Sequence, residues 1–315
     1  MWQQKSRRAT NASRNRKKAE AALFPLVVVL TAVLIAGCGP APGDDAAPAG
    51  DNTLGIRVAP LTDYAWLDRD GNGQPDNPKP AGEREALVRG LGAPPADILV
   101  LRGLGSAAAL DHLRESLAAA RTNYPHAVYV PGPTVYAGIG FLSKREPLET
   151  RMLSDQTFRV RDREFQPLAG GIRVATGAGD LWVWNAEAPS PASPYERRRN
   201  DARLLAQALR PLPANGTRVL LSLHSREDPD SPMMRGLLDI GLERLTPLDD
   251  RGDSWTHRDP DGVNYRMDQW LFLGGHAGGE PPGLMLLDSP DIRAAGQYRH
   301  QRVEVSLQEH TPDDT

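Results

Sequence analysis

The sequence predicts a layered α/β sandwich, on three observations. Apolar runs of strand length recur along the chain, and amphipathic segments with helical spacing fall between some of them. Between residues 126 and 185 the strand-like runs follow one another with no helical stretch between them. Helices and clustered strands in one body place the helices against sheets rather than in a bundle. With 315 residues, 40% of them hydrophobic, the chain has enough apolar material for a sizeable core.

The first strands are read at Ile56–Ala59 and Asp97–Arg102. Between them AGEREALVRGLGA has helical spacing, with Ala86, Leu87 and Leu91 on one face. Residues 106–123 form an amphipathic helix with Ser106 as its cap, since a serine hydroxyl accepts from a free backbone N–H of the first turn. Short strands follow at His126–Val130, Gly138–Leu142, Gly171–Ala175 and Asp180–Asn185. Trp182 and Trp184 share the last of these, one expected in the core and the other covering a surface. A helix over 196–209 comes next, its Arg197–Arg199 run read as a solvated face. The apolar run Val219–Leu223 then opens into His224, Ser225, Arg226, Glu227 and Asp228, followed by a Pro-rich turn. Polar groups where a buried strand ends are where sites are often built. Two further strands are expected around Tyr265–Leu271 and Arg302–Leu307.

Charge separates the N-terminus from the body. Residues 1–38 hold seven Lys/Arg and one Glu, which leaves 30 basic and 39 acidic residues elsewhere, a net charge of −9. A body this acidic has no global attraction for nucleic acid, so strong nucleic-acid binding is not expected. The basic stretch precedes an apolar run from Ala21 to Ile35 that contains Pro25 and is shorter than the ~20 residues that span a bilayer. This is the layout of a signal peptide.

Ile35-Ala36-Gly37-Cys38 resembles the bacterial lipobox, in which the cysteine is lipidated and becomes the new N-terminus. Cys38 is also the only cysteine, so the chain has no internal disulfide. The resemblance implies a lipid-anchored protein of the bacterial cell envelope, partnered with the membrane through Cys38. Gly39 in place of Asp after the cysteine favours the outer membrane. Residues 1–37 are thus expected as the signal peptide and 38–55 as a Gly/Ala/Pro/Asp-rich tether. Residues 56–310 would form one domain and 311–315 a tail.

Several segments of that domain together resemble the endonuclease/exonuclease/phosphatase family. They are PADILVLRGLG (95–105), GIGFLSKREP (138–147), LWVWNAEAPSP (181–191), RVLLSLHSRED (218–228), YRMDQWLF (265–272) and YRHQRVEV (298–305). The resemblance implies an α+β, four-layer sandwich of two packed, mixed but mainly antiparallel sheets flanked by helices, with the site at one rim. The chemistry it implies is water attack on a phosphate, which needs a divalent metal, a carboxylate to orient water and a histidine facing the phosphate.

Matched position by position, most of that apparatus is replaced. The metal-ligand Glu falls on Gly103, the first Asn on Thr62, and the His of the N-x-H strand on Glu187. The Asp and Asn positions at the end of RVLLSLHSRED hold His224 and Arg226, and the terminal Asp falls on Arg299. His300, Asp268 and Asn185 are the catalytic positions that survive. A one-residue slip would instead bring Glu227 or Asp228 to the metal position.

Three readings follow. Arg102, His224, Arg226 and Arg299 form a metal-free pocket for an anionic ligand, since Arg suits forked recognition of phosphate or carboxylate. In the second, the arginines pair with Glu187, Glu227 and Asp228 and fill a dead cleft, leaving a scaffold for a protein partner. In the third, a rewired phosphodiesterase uses Mg²⁺ or Mn²⁺. A separate constellation, Asp68, Asp70, Asn72 and Asp76 around Gly73, follows the calcium-loop pattern except that Lys79 stands at the twelfth position. It is either a structural Ca²⁺ site or a polar turn.

Overall fold

The computed structural model describes residues 53–134, 136–177, 179–215, 217–225, 231–246, 248–249, 251–258, 264–265, 268–273, 283–287 and 300–306. Every described residue lies in one compact unit, Gly50–Thr315. The elements run in the order β1 (Thr53–Tyr64), α1 (Ala81–Gly92), β2 (Ile98–Leu104), α2 (Ala107–Ala119), β3 (His126–Val130) and β4 (Gly138–Ser143). Next come β5 (Pro147–Met152), β6 (Phe158–Val160), β7 (Arg163–Phe165), β8 (Leu168–Thr176), β9 (Gly179–Glu187), α3 (Tyr195–Leu209) and β10 (Arg218–His224). The series ends with α4 (Pro232–Leu238), β11 (Glu243–Leu245), β12 (His257–Arg258), β13 (Asn264–Tyr265), β14 (Asp268–Leu273), β15 (Gly283–Leu287) and β16 (His300–Ser306).

Two six-stranded sheets carry the fold, in the orders β15-β16-β1-β2-β4-β3 and β11-β14-β10-β9-β8-β5. In each sheet one central pair is parallel, β1 with β2 and β9 with β10, and the other pairs are antiparallel. The expected mixed, mainly antiparallel sandwich is therefore what the chain forms.

Period-2 alternation sorts each strand between two cores. Ile56, Val58, Val100, Phe141, Val183, Leu220 and Trp270 meet between the sheets. On the outer face of the first sheet α1 and α2 bury Leu87, Leu91, Leu113 and Leu117 against Leu99 and Leu101. On the outer face of the second, α3 and α4 bury Leu205, Leu209, Met234 and Leu237 against Leu221 and Leu271. Each such side chain contributes about 1.5–3 kcal/mol on leaving water, which makes these three layers of contact the main source of stability. Among the described residues no helix is long and apolar enough to cross a membrane.

Some elements differ from expectation. β1 starts at Thr53, and Leu54 is already fully buried opposite Val305, so pairing with β16 reaches back into the stretch read as tether. Trp182 and Trp184 lie two residues apart and therefore on the same face; both are buried under α3 and α4, with ring centroids 5.8 Å apart. The segment read as a Pro-rich turn lies outside the described residues up to Asp230, and α4 follows it: its Ser231 cap accepts from the N–H of Met234 and Pro232 fits a first helical position. Arg197 and Arg198 are not simply solvated: their guanidinium groups lie over the rings of Phe165 and Tyr195, at 4.5 and 5.8 Å. His257 is buried in β12.

Candidate functional site

Because β1 and β2, and β9 and β10, run in parallel pairs, each pair ends at one level. The inner faces of these strands are apolar until their last turn of pleat. On β2 the series Ile98, Val100 reaches Arg102, and on β10 Leu220, Ser222 reaches His224. On β9 Val183 gives way to Asn185 and Glu187, while on β14 the reverse order runs Asp268, Trp270, Phe272. Register then aligns the polar ends: Pro60 with Arg102, Glu187 with His224, and His224 with Asp268. A pocket of about 220 Å³ opens here, lined by Thr62, Asp63, Arg102, Tyr136, Glu187 and His224 among others.

Asp268 is the centre of the site. It is fully buried, and its Oδ1 lies 2.6 Å from Arg102 Nη1 and 2.9 Å from His224 Nδ1. The Arg102 contact falls off the line of a directed hydrogen bond, so its attraction is chiefly coulombic. Nδ1–H of His224 donates to the carboxylate. Burial opposes ionisation of Asp268, but the Arg102 charge and His224 beside it hold the carboxyl well below the usual range. The Asp268 backbone N–H donates to Thr256 Oγ1 at 3.2 Å, which fixes the strand end.

Beneath this triad Asn185 and Ser222 face each other across the β9–β10 register. Both are fully buried. Among the described residues the Asn185 amide, Ser222 Oγ and Asp268 Oδ2 have no hydrogen-bond partner. Buried polar groups of this kind mark a polar seam inside an otherwise apolar inter-sheet core.

Gly103 and the end of β1 shape the other wall. The β1–β2 register shifts between Pro60 and Tyr64, and Thr62 and Asp63 adopt positive φ, +41° and +58°. Gly103 has φ +79°, where a Cβ would stand 3.3 Å from the Thr62 backbone nitrogen. The bulge and the glycine thus require each other. Lys79 pins the bulge, donating from Nζ to the Thr62 carbonyl at 2.9 Å and pairing with Glu83 at 2.8 Å.

Of the residues singled out by sequence, Asp268, His224 and Arg102 meet at this rim and Asn185 lies below them. Arg102 pairs with Asp268, not with Glu187, which makes no ion pair among the described residues. Arg226, Arg299, Glu227 and Asp228 lie outside the described residues, and of His300 only the backbone is described, paired with Leu287. Thr256 and Tyr136 went unrecognised, since neither stands in a pattern visible along the chain.

The described residues of the rim do not by themselves fit a divalent cation. Gly103 brings no oxygen from a side chain, and Asp268 already holds a guanidinium at 2.6 Å. Among the described residues no group of three or more His, Cys, Asp or Glu could hold a metal ion. The Asp68–Asp76 loop uses its oxygens internally. Asp68 Oδ2 accepts from the N–H of Gly73, Asp70 Oδ1 from that of Asn72, and Asn72 Oδ1 from that of Gln74. These are turn-forming contacts, helped by positive φ at Gly71 and Gly73.

Solved structures align with most of this chain, among them the following three. An endonuclease/exonuclease/phosphatase family protein from Leptotrichia buccalis has a TM-score of 0.56 at 12% identity, covering 79% of this chain and 98% of that one. Staphylococcus aureus beta toxin gives 0.55 at 11% identity over 79% and 99%. Sphingomyelinase C from Streptomyces griseocarneus gives 0.53 at 16% over 80% and 99%. The fold is that of the endonuclease/exonuclease/phosphatase proteins. No family model matches the sequence, and no curated protein matches it either. Within this endonuclease/exonuclease/phosphatase fold, the rim described above is the end where the resemblance places the catalytic positions.

Proposed function

We propose that this chain is an exported lipoprotein whose endonuclease/exonuclease/phosphatase-fold domain no longer hydrolyses phosphodiesters and serves as a binding or scaffold module. The observation that carries this reading is Gly103. At the position where the resemblance places the metal-ligand Glu, the backbone has a left-handed φ and the bulge of β1 crowds the space a side chain would need. On this reading the backbone itself, and not only the missing side chain, opposes a metal ligand there. Asp268, an acid that survives, is neutralised by Arg102 and engaged by His224.

An anion site at this rim rests on Arg226 and Arg299, which the resemblance aligns with Asn and Asp positions, because Arg102 is already paired with Asp268 and the pocket lining also carries Asp63 and Glu187. A small phosphate- or carboxylate-bearing ligand is the class such guanidinium groups select. The lipid on Cys38 would hold the module at the bacterial outer membrane through the 38–55 tether.

The test is turnover of bis(p-nitrophenyl) phosphate by the full chain in detergent with Mg²⁺ and Mn²⁺, beside His300→Ala. The expected result is no hydrolysis above the variant. Metal-dependent turnover that disappears in His300→Ala would overturn the reading and establish a rewired hydrolase.

A further inference from the structure

A second cleft lies apart from the rim and shares no lining residue with it. It measures about 590 Å³, within the range of small-molecule sites. The β6–β7 hairpin forms one wall, and the loop after β9 with the start of α3 forms the other. Arg161 and Arg163 reach it from the hairpin and Arg197 from α3.

None of these three guanidinium groups is in an ion pair or donates a hydrogen bond among the described residues, although the Asp162 carboxylate lines the same cleft. Arg197 is held over the Phe165 ring at 4.5 Å, and Phe165 itself stacks on Phe158, so the charge is positioned before any ligand arrives. The Nε of Arg197 is buried without a hydrogen-bond partner. Arg161 occupies the turn of the hairpin with φ +55°, a conformation in which glycine is normally found. Ser190 and Ser193 add hydroxyl groups on the opposite wall.

We infer that this cleft is a binding site for a small organic molecule bearing two or more phosphate groups. Three guanidinium groups line this one cleft beside a single lining carboxylate, although the Arg197 charge also acts on Asp201 one turn along α3, and each presents a fork of donors to phosphate oxygens. The Phe165 side of the cleft accepts the ligand's carbon skeleton.

Calorimetric titration of the full chain in detergent with inorganic pyrophosphate, and separately with fructose 1,6-bisphosphate, tests the site. With Arg226→Ala/Arg299→Ala as the background, so that the rim contributes nothing, saturable one-site binding is expected, and adding Arg163→Ala/Arg197→Ala weakens it roughly tenfold or more. Because Arg197 also packs on Phe165, Arg161→Glu at the exposed turn serves as a second variant that leaves the fold intact, and it too should weaken binding. Binding of pyrophosphate alone would identify the phosphate groups as the whole determinant, and tighter binding of the bisphosphate would show that the carbon skeleton contributes. Absence of binding by both probes in this background overturns the inference, as does unchanged affinity when Arg161→Glu is added.

Discussion

Arg102 and Asp268 stand 2.6 Å apart, exposed to only 4% and 0%. In water such a pair contributes little, but here neither charge has solvent to fall back on. Arg102→Met would leave the carboxylate buried against His224 alone and should cost about 3–5 kcal/mol in urea denaturation. Replacing both, as Arg102→Met/Asp268→Leu, should recover most of that loss. A double variant as unstable as the single one would show that the pair is not coupled.

Two buried carboxyls give opposite pH signatures. The Asp268 value is depressed, so its contribution is complete above the ordinary carboxylate range near pH ~4 and is lost as the pH falls through its own lower value. Asp201 on α3 is pushed up to about 7 by burial, against a smaller opposing effect of Arg197. Its contribution is complete below the unfolded value and is lost as the pH rises through about 7. Asp201→Asn should therefore be near neutral at pH ~4 and stabilising by on the order of 2 kcal/mol at pH ~8. Equal effects at both pH values would refute the assignment.

Gly171 lies opposite Trp184 in the β8–β9 register, and a Cβ there would fall 2.8 Å from three atoms of the indole ring. Trp184 is fully buried and has no room to retreat. Gly171→Ala should lower stability by about 1–3 kcal/mol. Gly82→Ala, at an exposed position near the start of α1 with nothing within 4 Å, should raise it by about 0.5–1 kcal/mol. Thermal melts of the two variants should move in opposite directions.

The Asp68–Asp76 loop is a test of calcium. Its side-chain oxygens already accept backbone N–H groups, and Lys79 at the twelfth position is drawn away to Thr62 and Glu83. Millimolar Ca²⁺ should leave the melting temperature unchanged, and Asp70→Ala should lower it equally with and without Ca²⁺. A calcium-dependent rise that Asp70→Ala removes would make the loop a cation site.

What could be read along the chain was whatever repeats locally. The α2 cap is an example: Ser106 Oγ accepts from the N–H of Ala109 as its hydroxyl and position imply. The burial of β2 and β10 follows equally from their apolar runs. β5 was invisible because PLETRM pairs on one side only and alternates with charges. The same limit applies to the site. His224 was legible as the polar end of a strand, but its partner Asp268 and the third member Arg102 are set by register between strands far apart in sequence, which no local pattern encodes. The Arg197–Arg199 run reads as solvated charge because the aromatic ring that holds Arg197 lies on another element.

One consequence follows from where β1 sits. It is an interior strand, with β2 on one side and β16 on the other, and Thr53 pairs with Ser306. Among the described strands β1 is made first and β16 last, so β1 must wait for β16 before its second edge is covered. A chain cut short before residue 300 would present that edge to proteases, so only full-length copies should survive synthesis, and the body should stay open enough to be threaded until its final strand arrives.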